Sequence, residues 1–320
     1  MKLQVMYSFL RSDIEKIEQE LKAVVASEQQ LLQEAALQLI QAGGKRIRPV
    51  FVLLCGKFGN YKLDTVKHAA VALELIHMAS LVHDDVIDAA LLRRGNSTVN
   101  AKWGDRIAMY TGDYLFAKSL ECITNINIPE AHQALSKTIV EVCKGEIEQI
   151  EDKYNFDQNL RTYLRRIKRK TALLIASSCQ LGAIASGACR DTVNRLFWFG
   201  YFVGMSYQII DDILDFVSTE EALGKPAGGD LLQGNITLPV LYAMQVPELR
   251  EKIVCVHEGT NDSEMKTIIR LIKESDAIEQ SFAFSERYLK KAFEVIKPLP
   301  RGQAKSALQN VAKYIGKRKF

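Results

Sequence analysis

The 320-residue chain is predicted to be all-α. Three observations carry that prediction. No proline interrupts the stretch from Pro49 to Pro129, or that from Pro129 to Pro226, which leaves room for long unbroken helices. Apolar residues recur at helical spacing, as at Ile14, Ile17, Leu21, Val24 and Val25. Strand alternation bounded by turn residues is nowhere convincing. No linker divides the sequence, so a single domain over residues 1–320 is expected, a bundle of roughly ten or more helices.

Composition narrows the class further. A hydrophobic fraction of 48%, a charged fraction of 25% and a formal charge of +4 are those of an ordinary soluble globular protein and do not suggest a nucleic-acid binder. The N-terminus, MKLQVMYSFLRSDIEK, lacks the apolar core and cleavage site of a signal peptide. The six cysteines, Cys55, Cys122, Cys143, Cys179, Cys189 and Cys255, form no CxxC pair and are expected as reduced core thiols of a cytoplasmic protein.

Ser12 with Glu15 has the capping-box pattern and should open the first helix. A second helix over Gln30–Ala42 should stop at Gly43-Gly44, and Pro49 favours a fresh start soon after. The stretch from Glu74 to Gly95 organises the rest. It is apolar on nearly every side up to Val82, so a helix here should be buried. His83, Asp84, Asp85 and Asp88 then arrive together, and the four-residue spacing of Asp84 and Asp88 puts two carboxylates on one helical face. Charges that close repel unless something neutralises them. Hard divalent cations with oxygen ligands, magnesium above all, do this well.

Leu91–Gly104 then has the chemistry of a loop. The basic run RRIKRK, Arg165–Lys170, reads by default as a solvated helix face, and the uncharged runs Thr171–Cys189 and Leu196–Ile210 read as buried helices too short or too polar for a bilayer, which needs ~20 apolar residues. A second carboxylate cluster follows. Asp211, Asp212 and Asp215 repeat the first spacing 127 residues downstream of Asp84, and the glycine-rich Val217–Pro239 follows as a second loop. Two such helices facing each other would aim both clusters into one cavity, where magnesium shared between carboxylates and phosphate oxygens would hold a diphosphate. Lys45, Arg46, Arg48, Arg93, Arg94, Lys170 and Lys225 supply the cations that phosphate oxygens need.

In chain order the sequence presents GGKRIRP, HDDVID, LRRG, GEIEQ at Gly145–Gln149, KRKT at Lys168–Thr171, DDILD and GKPAGGDLLQGNITLP. On these motifs, which run along nearly the whole chain, it resembles the trans-prenyl diphosphate synthases. Among them it is most similar to the large catalytic component of the two-component members, which make heptaprenyl (C35) diphosphate for the menaquinone side chain. The resemblance implies an isoprenoid synthase fold, a helical bundle around a deep central cavity. It further implies that Asp84, Asp88 and Asp211 ligate three Mg²⁺ ions brought in with the allylic diphosphate, supported by Asp85, Asp212 and Asp215. Arg93, Lys170 and Lys225 would touch that diphosphate, here farnesyl diphosphate. Isopentenyl diphosphate, without metal, would lie against Lys45, Arg48, His77 and Arg94. Thr171 and Gln208, with Lys170, would act near the developing allylic cation.

Ala79 and Ser80, small residues just before Asp84, stand where bulky aromatics would floor the channel in short-chain members, which points to a long product. Gly234 departs from some short-chain relatives, which have lysine there. The implied partner is a small non-catalytic synthase component in a heterodimer, and release of so apolar a product suggests transient contact with a membrane surface. A class I terpene cyclase would share the first acidic motif but replace DDILD with an Asn/Ser/Glu metal motif. A non-catalytic partner subunit would have lost acidic or basic motif residues. A hexaprenyl or octaprenyl synthase would differ only in product length.

Overall fold

The computed structural model describes residues 3–93, 95–218 and 227–316; the predicted diphosphate contacts Arg94 and Lys225 lie outside them. A 3-10 helix over Leu3–Leu10 leads into α1 (Arg11–Val24), α2 (Gln30–Gln41), α3 (Ile47–Gly56) and α4 (Leu63–Ile87). Then come α5 (Val99–Trp103), α6 (Asp105–Thr124), α7 (Pro129–Glu151) and α8 (Leu160–Ile167). A π-helical turn over Lys168–Ala172 precedes α9 (Leu173–Ala185) and α10 (Arg190–Val217). The chain finishes through α11 (Gly229–Leu232), α12 (Leu238–Ala243), α13 (Pro247–Ile253), α14 (Asp262–Glu274), α15 (Ala277–Ile296) and α16 (Gln303–Gly316). The predicted all-α class is what forms.

The chain divides into two compact units. One comprises Met1–Ile139, Ser177–Phe197 and Leu299–Leu308, the other Val140–Ala176, Trp198–Pro298 and Gln309–Phe320. In the first, α4 packs chiefly on α6 and α3. It buries Val71, Leu73, Leu75, Ile76, Ala79 and Val82, as the nearly all-round apolar sequence requires, each large side chain contributing about 1.5–3 kcal/mol. In the second unit one core joins Tyr163, Ile167 and Ala172 to Met205, Ile209, Ile210 and Ile213, so α8 and the π-turn lie against α10.

Arg46 anchors the first unit. Gly43, at φ +70°, stops α2 as predicted, and Arg46, itself at φ +46°, turns its guanidinium inward before α3 begins. The buried fork donates to Glu74 at 2.9 Å, to Glu18 and to the Ile40 carbonyl. This cation of the GGKRIRP motif is therefore a structural brace. Arg46→Ala should cost about 3–5 kcal/mol in urea denaturation, because it strands the buried Glu74 carboxylate.

Four expectations change. Ser12 does not cap the first helix, which starts at Arg11 after Leu10 with no side-chain cap. The preceding residues are already helical and sink Tyr7 and Leu10 into the core, so no free start exists at Ser12. Leu91–Gly104 is more than loop: Leu92 pairs with Ser97 and Arg93 with Asn96 in a two-residue antiparallel ladder, and Thr98 caps α5 by accepting from the Ala101 N–H. Only Cys55, Cys122 and Cys179 are core thiols, while Cys143, Cys189 and Cys255 are exposed on helix surfaces or ends. The run Arg165–Lys170 is not a solvated face, since Arg166 is buried and donates to Gln158 and to the Ile236 carbonyl. Among the described residues no helix is long and apolar enough to cross a membrane.

Candidate active site

The first acidic cluster forms at the C-terminus of α4. The Asp88 N–H donates to the Asp84 carbonyl at 2.8 Å, so the helical ladder reaches Asp88 and the two carboxylates sit one turn apart on one face, as predicted. Both are half-buried. Asp85, on another face, is buried and takes the Arg93 guanidinium, with Nε at 2.7 Å and Nη2 at 2.6 Å. Burial pushes its pKa up, and the Arg93 hydrogen bond and charge partly oppose this. Arg93 reaches Asp85 because the chain folds straight back after α4. Ala89 adopts a positive φ of +47°, the Ala90 N–H donates to the Asp85 carbonyl, and Asn100 on α5 donates to both Asp85 and Ala90 carbonyls.

His77, Arg93 and Asp85 line one cleft with Arg46 and Glu74. Lys45 instead is exposed and lines a separate cavity of about 560 Å³, against α1. Arg48 sits half-buried in the first turn of α3. Of the four predicted isopentenyl diphosphate residues, then, His77 and Lys45 border different hollows, with Arg46 between them. Ala79 is fully buried, whereas Ser80 is half-buried and donates to the His77 carbonyl at 2.9 Å. Ser80 shares the face of Asp84 and Asp88 by its four-residue spacing.

The second unit holds the other residues. Lys170 and Thr171 lie in the π-turn, which the Leu173 N–H closes by reaching back to the Lys168 carbonyl. Such turns replace one helical repeat with a wider one and recur at functional sites. Helices approach this turn closely at two glycines. A Cβ on Gly145 of α7 would lie 2.6 Å from the Arg169 Cβ, and one on Gly204 of α10 would lie 2.6 Å from the Ala172 Cα. One turn beyond Gly145, Gln149 accepts from Lys170 Nζ at 2.8 Å, while Glu146 lies 3.6 Å from the same amine. Arg169 pairs with Glu141 and Glu148.

One turn beyond Gly204, Gln208 accepts from the Thr171 hydroxyl at 2.5 Å. Its amide N–H donates to Asp212 at 2.8 Å, and the other Asp212 oxygen accepts from the buried Tyr163 hydroxyl at 2.6 Å. Asp212 is buried, which with the charge of Asp230 pushes its pKa up to about 7 against the hydrogen bonds from Tyr163 and Gln208 and the charge of Arg166. Burial likewise pushes the Tyr163 phenol well up, so it stays protonated and donating. Asp215 is buried too, and accepts from the Asp230 N–H at 3.2 Å, while its carbonyl takes the Gly228 N–H.

The six carboxylates thus separate into two kinds. Asp84, Asp88 and Asp211 are half-buried, whereas Asp85, Asp212 and Asp215 are buried and hold Arg93, Gln208 or backbone. Among the described residues no group of three or more His, Cys, Asp or Glu is close enough to hold a metal by itself. On α4 alone, the half-buried pair Asp84 and Asp88 fits magnesium nonetheless, because this ion keeps several waters and shares one or two carboxylates with substrate phosphates. In the sequence Arg166, Asp230 and Gln149 stand out only as members of RRIKRK, GKPAGGDLLQGNITLP and GEIEQ, with no role of their own, and Tyr163 belongs to none of the motifs. Asp230 carried a usable signal, a carboxylate in the glycine-rich segment after the second cluster; Tyr163 carried none.

Residues 29–273 match the family model described as polyprenyl synthetase. The chain is 66% identical to heptaprenyl diphosphate synthase component 2 of Bacillus subtilis over 320 residues, all of this chain and 92% of that protein. It is similar to the crystal structure of a heptaprenyl diphosphate synthase from Staphylococcus aureus, with a TM-score of 0.94, 45% identity and coverage of 97% of this chain and 98% of that one. A polyprenyl synthase from Caulobacter crescentus, solved with calcium and isoprenyl diphosphate, superposes with a TM-score of 0.94 at 28% identity, covering 99% of this chain and 98% of that one.

Proposed function

The chain belongs to the polyprenyl synthetase family, and from that premise we propose that it is a chain-elongating trans-prenyltransferase adding isopentenyl diphosphate to farnesyl diphosphate until heptaprenyl (C35) diphosphate, the menaquinone side-chain precursor, is made. The observation that carries this reading is the separation of the six carboxylates within a sequence so similar to a heptaprenyl diphosphate synthase component. Asp84, Asp88 and Asp211 are the proposed magnesium ligands, for three ions. When bound, magnesium supplies the positive charge that neutralises the allylic diphosphate and eases its departure.

The chain's own residues do the rest. Arg93 is oriented by Asp85, and Lys170 by Gln149 and Glu146, so both cations are held ready for diphosphate oxygens rather than waving in solvent. As the C1–O bond breaks, Thr171 and Gln208 lie beside the allylic cation. The isopentenyl double bond forms the new C–C bond, and the adduct loses a proton to the released diphosphate. Lys45, Arg48, His77 and Arg94 are the proposed holders of isopentenyl diphosphate. Ser80, on the face of Asp84, and Ala79 are proposed to leave the channel open to a long product.

The partner proposed is a small non-catalytic component, in keeping with the "component 2" of the Bacillus relative's name. The enzyme is read as cytoplasmic and one catalytic domain, with transient membrane contact for product release. Incubating the purified chain with Mg²⁺, farnesyl diphosphate and labelled isopentenyl diphosphate should give a product ladder ending at C35. No incorporation alone, with activity restored by the small component, supports the two-component form. Elongation under neither condition overturns the assignment.

A further inference from the structure

The contacts between α10 and the α8–π-turn segment follow a single stripe. Gly204, Gln208 and Asp212 stand at four-residue intervals along one face of α10, and they meet Ala172, Thr171 and Tyr163 in that order. The hydrogen bonds along the stripe have one direction. Thr171 gives its proton to the Gln208 carbonyl oxygen, Gln208 gives an amide proton to Asp212, and Tyr163 gives its phenolic proton to the other oxygen of Asp212. Both oxygens of Asp212 are engaged as acceptors, one by Gln208 and the other by Tyr163, and this sets which end of the Gln208 amide faces it. The oxygen end is then turned to Thr171, whose hydroxyl must donate inward. What Thr171 retains for a substrate is lone pairs.

We propose that Tyr163 is a positioning residue for the prenyl transfer: by fixing the Asp212 carboxylate it sets the donor order of the whole chain and leaves Thr171 presenting only lone pairs to the allylic cation. The inference rests on the prenyltransferase reading above. Tyr163 is fully buried and touches no substrate in this role; its ring is held under the Arg166 guanidinium, 5.8 Å from the ring centre, and Arg166 is itself fixed by Gln158 and Ile236. An unanchored carboxylate could rotate and release the amide, and a reversed amide would make Thr171 an acceptor with its O–H pointing outward, dipole first, at a cation.

The test is Tyr163→Phe, which removes one oxygen from a buried ring. In the elongation assay kcat should fall about tenfold, with the KM for both diphosphates within about twofold of wild type. The rate ratio between farnesyl diphosphate and an analogue fluorinated next to the reacting carbon should rise severalfold, because less of the cation's charge is met by the protein. A purely structural defect would lower both rates equally. In a Thr171→Val background the same substitution should cost less than about twofold, since the chain's endpoint is already gone. If Tyr163→Phe melts far below wild type, Asp212→Asn carries the test, because an amide there donates toward Gln208 and reverses the order. It should lower kcat and raise the fluorine ratio by a larger factor in the wild type than in Thr171→Val, whatever it costs the acidic cluster in both backgrounds. Unchanged kcat and fluorine ratio in a folded variant, or an equal loss in both backgrounds, overturns the inference. A wild-type chain that forms no C–C bond, with or without the small component, overturns instead the functional reading beneath it.

Discussion

Asp84→Ala will lower kcat by about 10³-fold or more, equivalent to roughly 4 kcal/mol of transition-state stabilisation, while the melting temperature stays within a few degrees of wild type. Asp84 is half-buried at the end of α4, one turn from Asp88, where its removal relieves a like-charge contact. Asp85→Ala makes the opposite change. It removes a buried acceptor from Arg93, which keeps partial access to solvent, so a loss of about 1–3 kcal/mol in stability should accompany the fall in activity. Adjacent residues in HDDVID should therefore separate in a paired measurement of turnover and thermal melting. Equal melting curves for the two variants would show that Asp85 does not brace Arg93.

Gly204→Ala should cost about 10²-fold in kcat through a single methyl group, since displacements of an ångström at positioning residues have effects of that size. Its Cβ would meet the Cα of Ala172, and backbone cannot step aside as a side-chain tip can. α10 must then move off the π-turn, taking Gln208 away from Thr171. Overpacking of this kind also destabilises by about 1–3 kcal/mol, so kinetics should be measured well below the melting transition. Normal turnover in this variant would mean that the Thr171–Gln208 bond is not needed.

Much of this was legible in residue order alone. The buried character of α4, the stop at Gly43 and the shared face of Asp84 and Asp88 all follow from period and composition over a few turns. The sorting of Asp84, Asp88 and Asp211 from Asp85, Asp212 and Asp215, implied by resemblance, agrees with which carboxylates are buried. Other features depend on partners far apart in the chain. Arg166 reads as one more charge in RRIKRK until Gln158 and the Ile236 carbonyl, 70 residues on, enclose it. Tyr163 is 49 residues from Asp212, and no local pattern marks it. Ser12 misleads for the converse reason: its motif is complete, but the helix it should start has already begun.

The π-turn at Lys168–Ala172 has a consequence for how this segment tolerates change. It holds one residue more than an α-helical turn, so α8 and α9 are a single rod read in two phases, about 100° out of step at 3.6 residues per turn. Point substitutions within it alter one side chain. Loss of any one codon there would restore a continuous α-helix and swing everything beyond it by that angle, taking Thr171 or Tyr163 off the α10 face whichever half stayed in place. Length, more than identity, is what this stretch of the gene has to preserve.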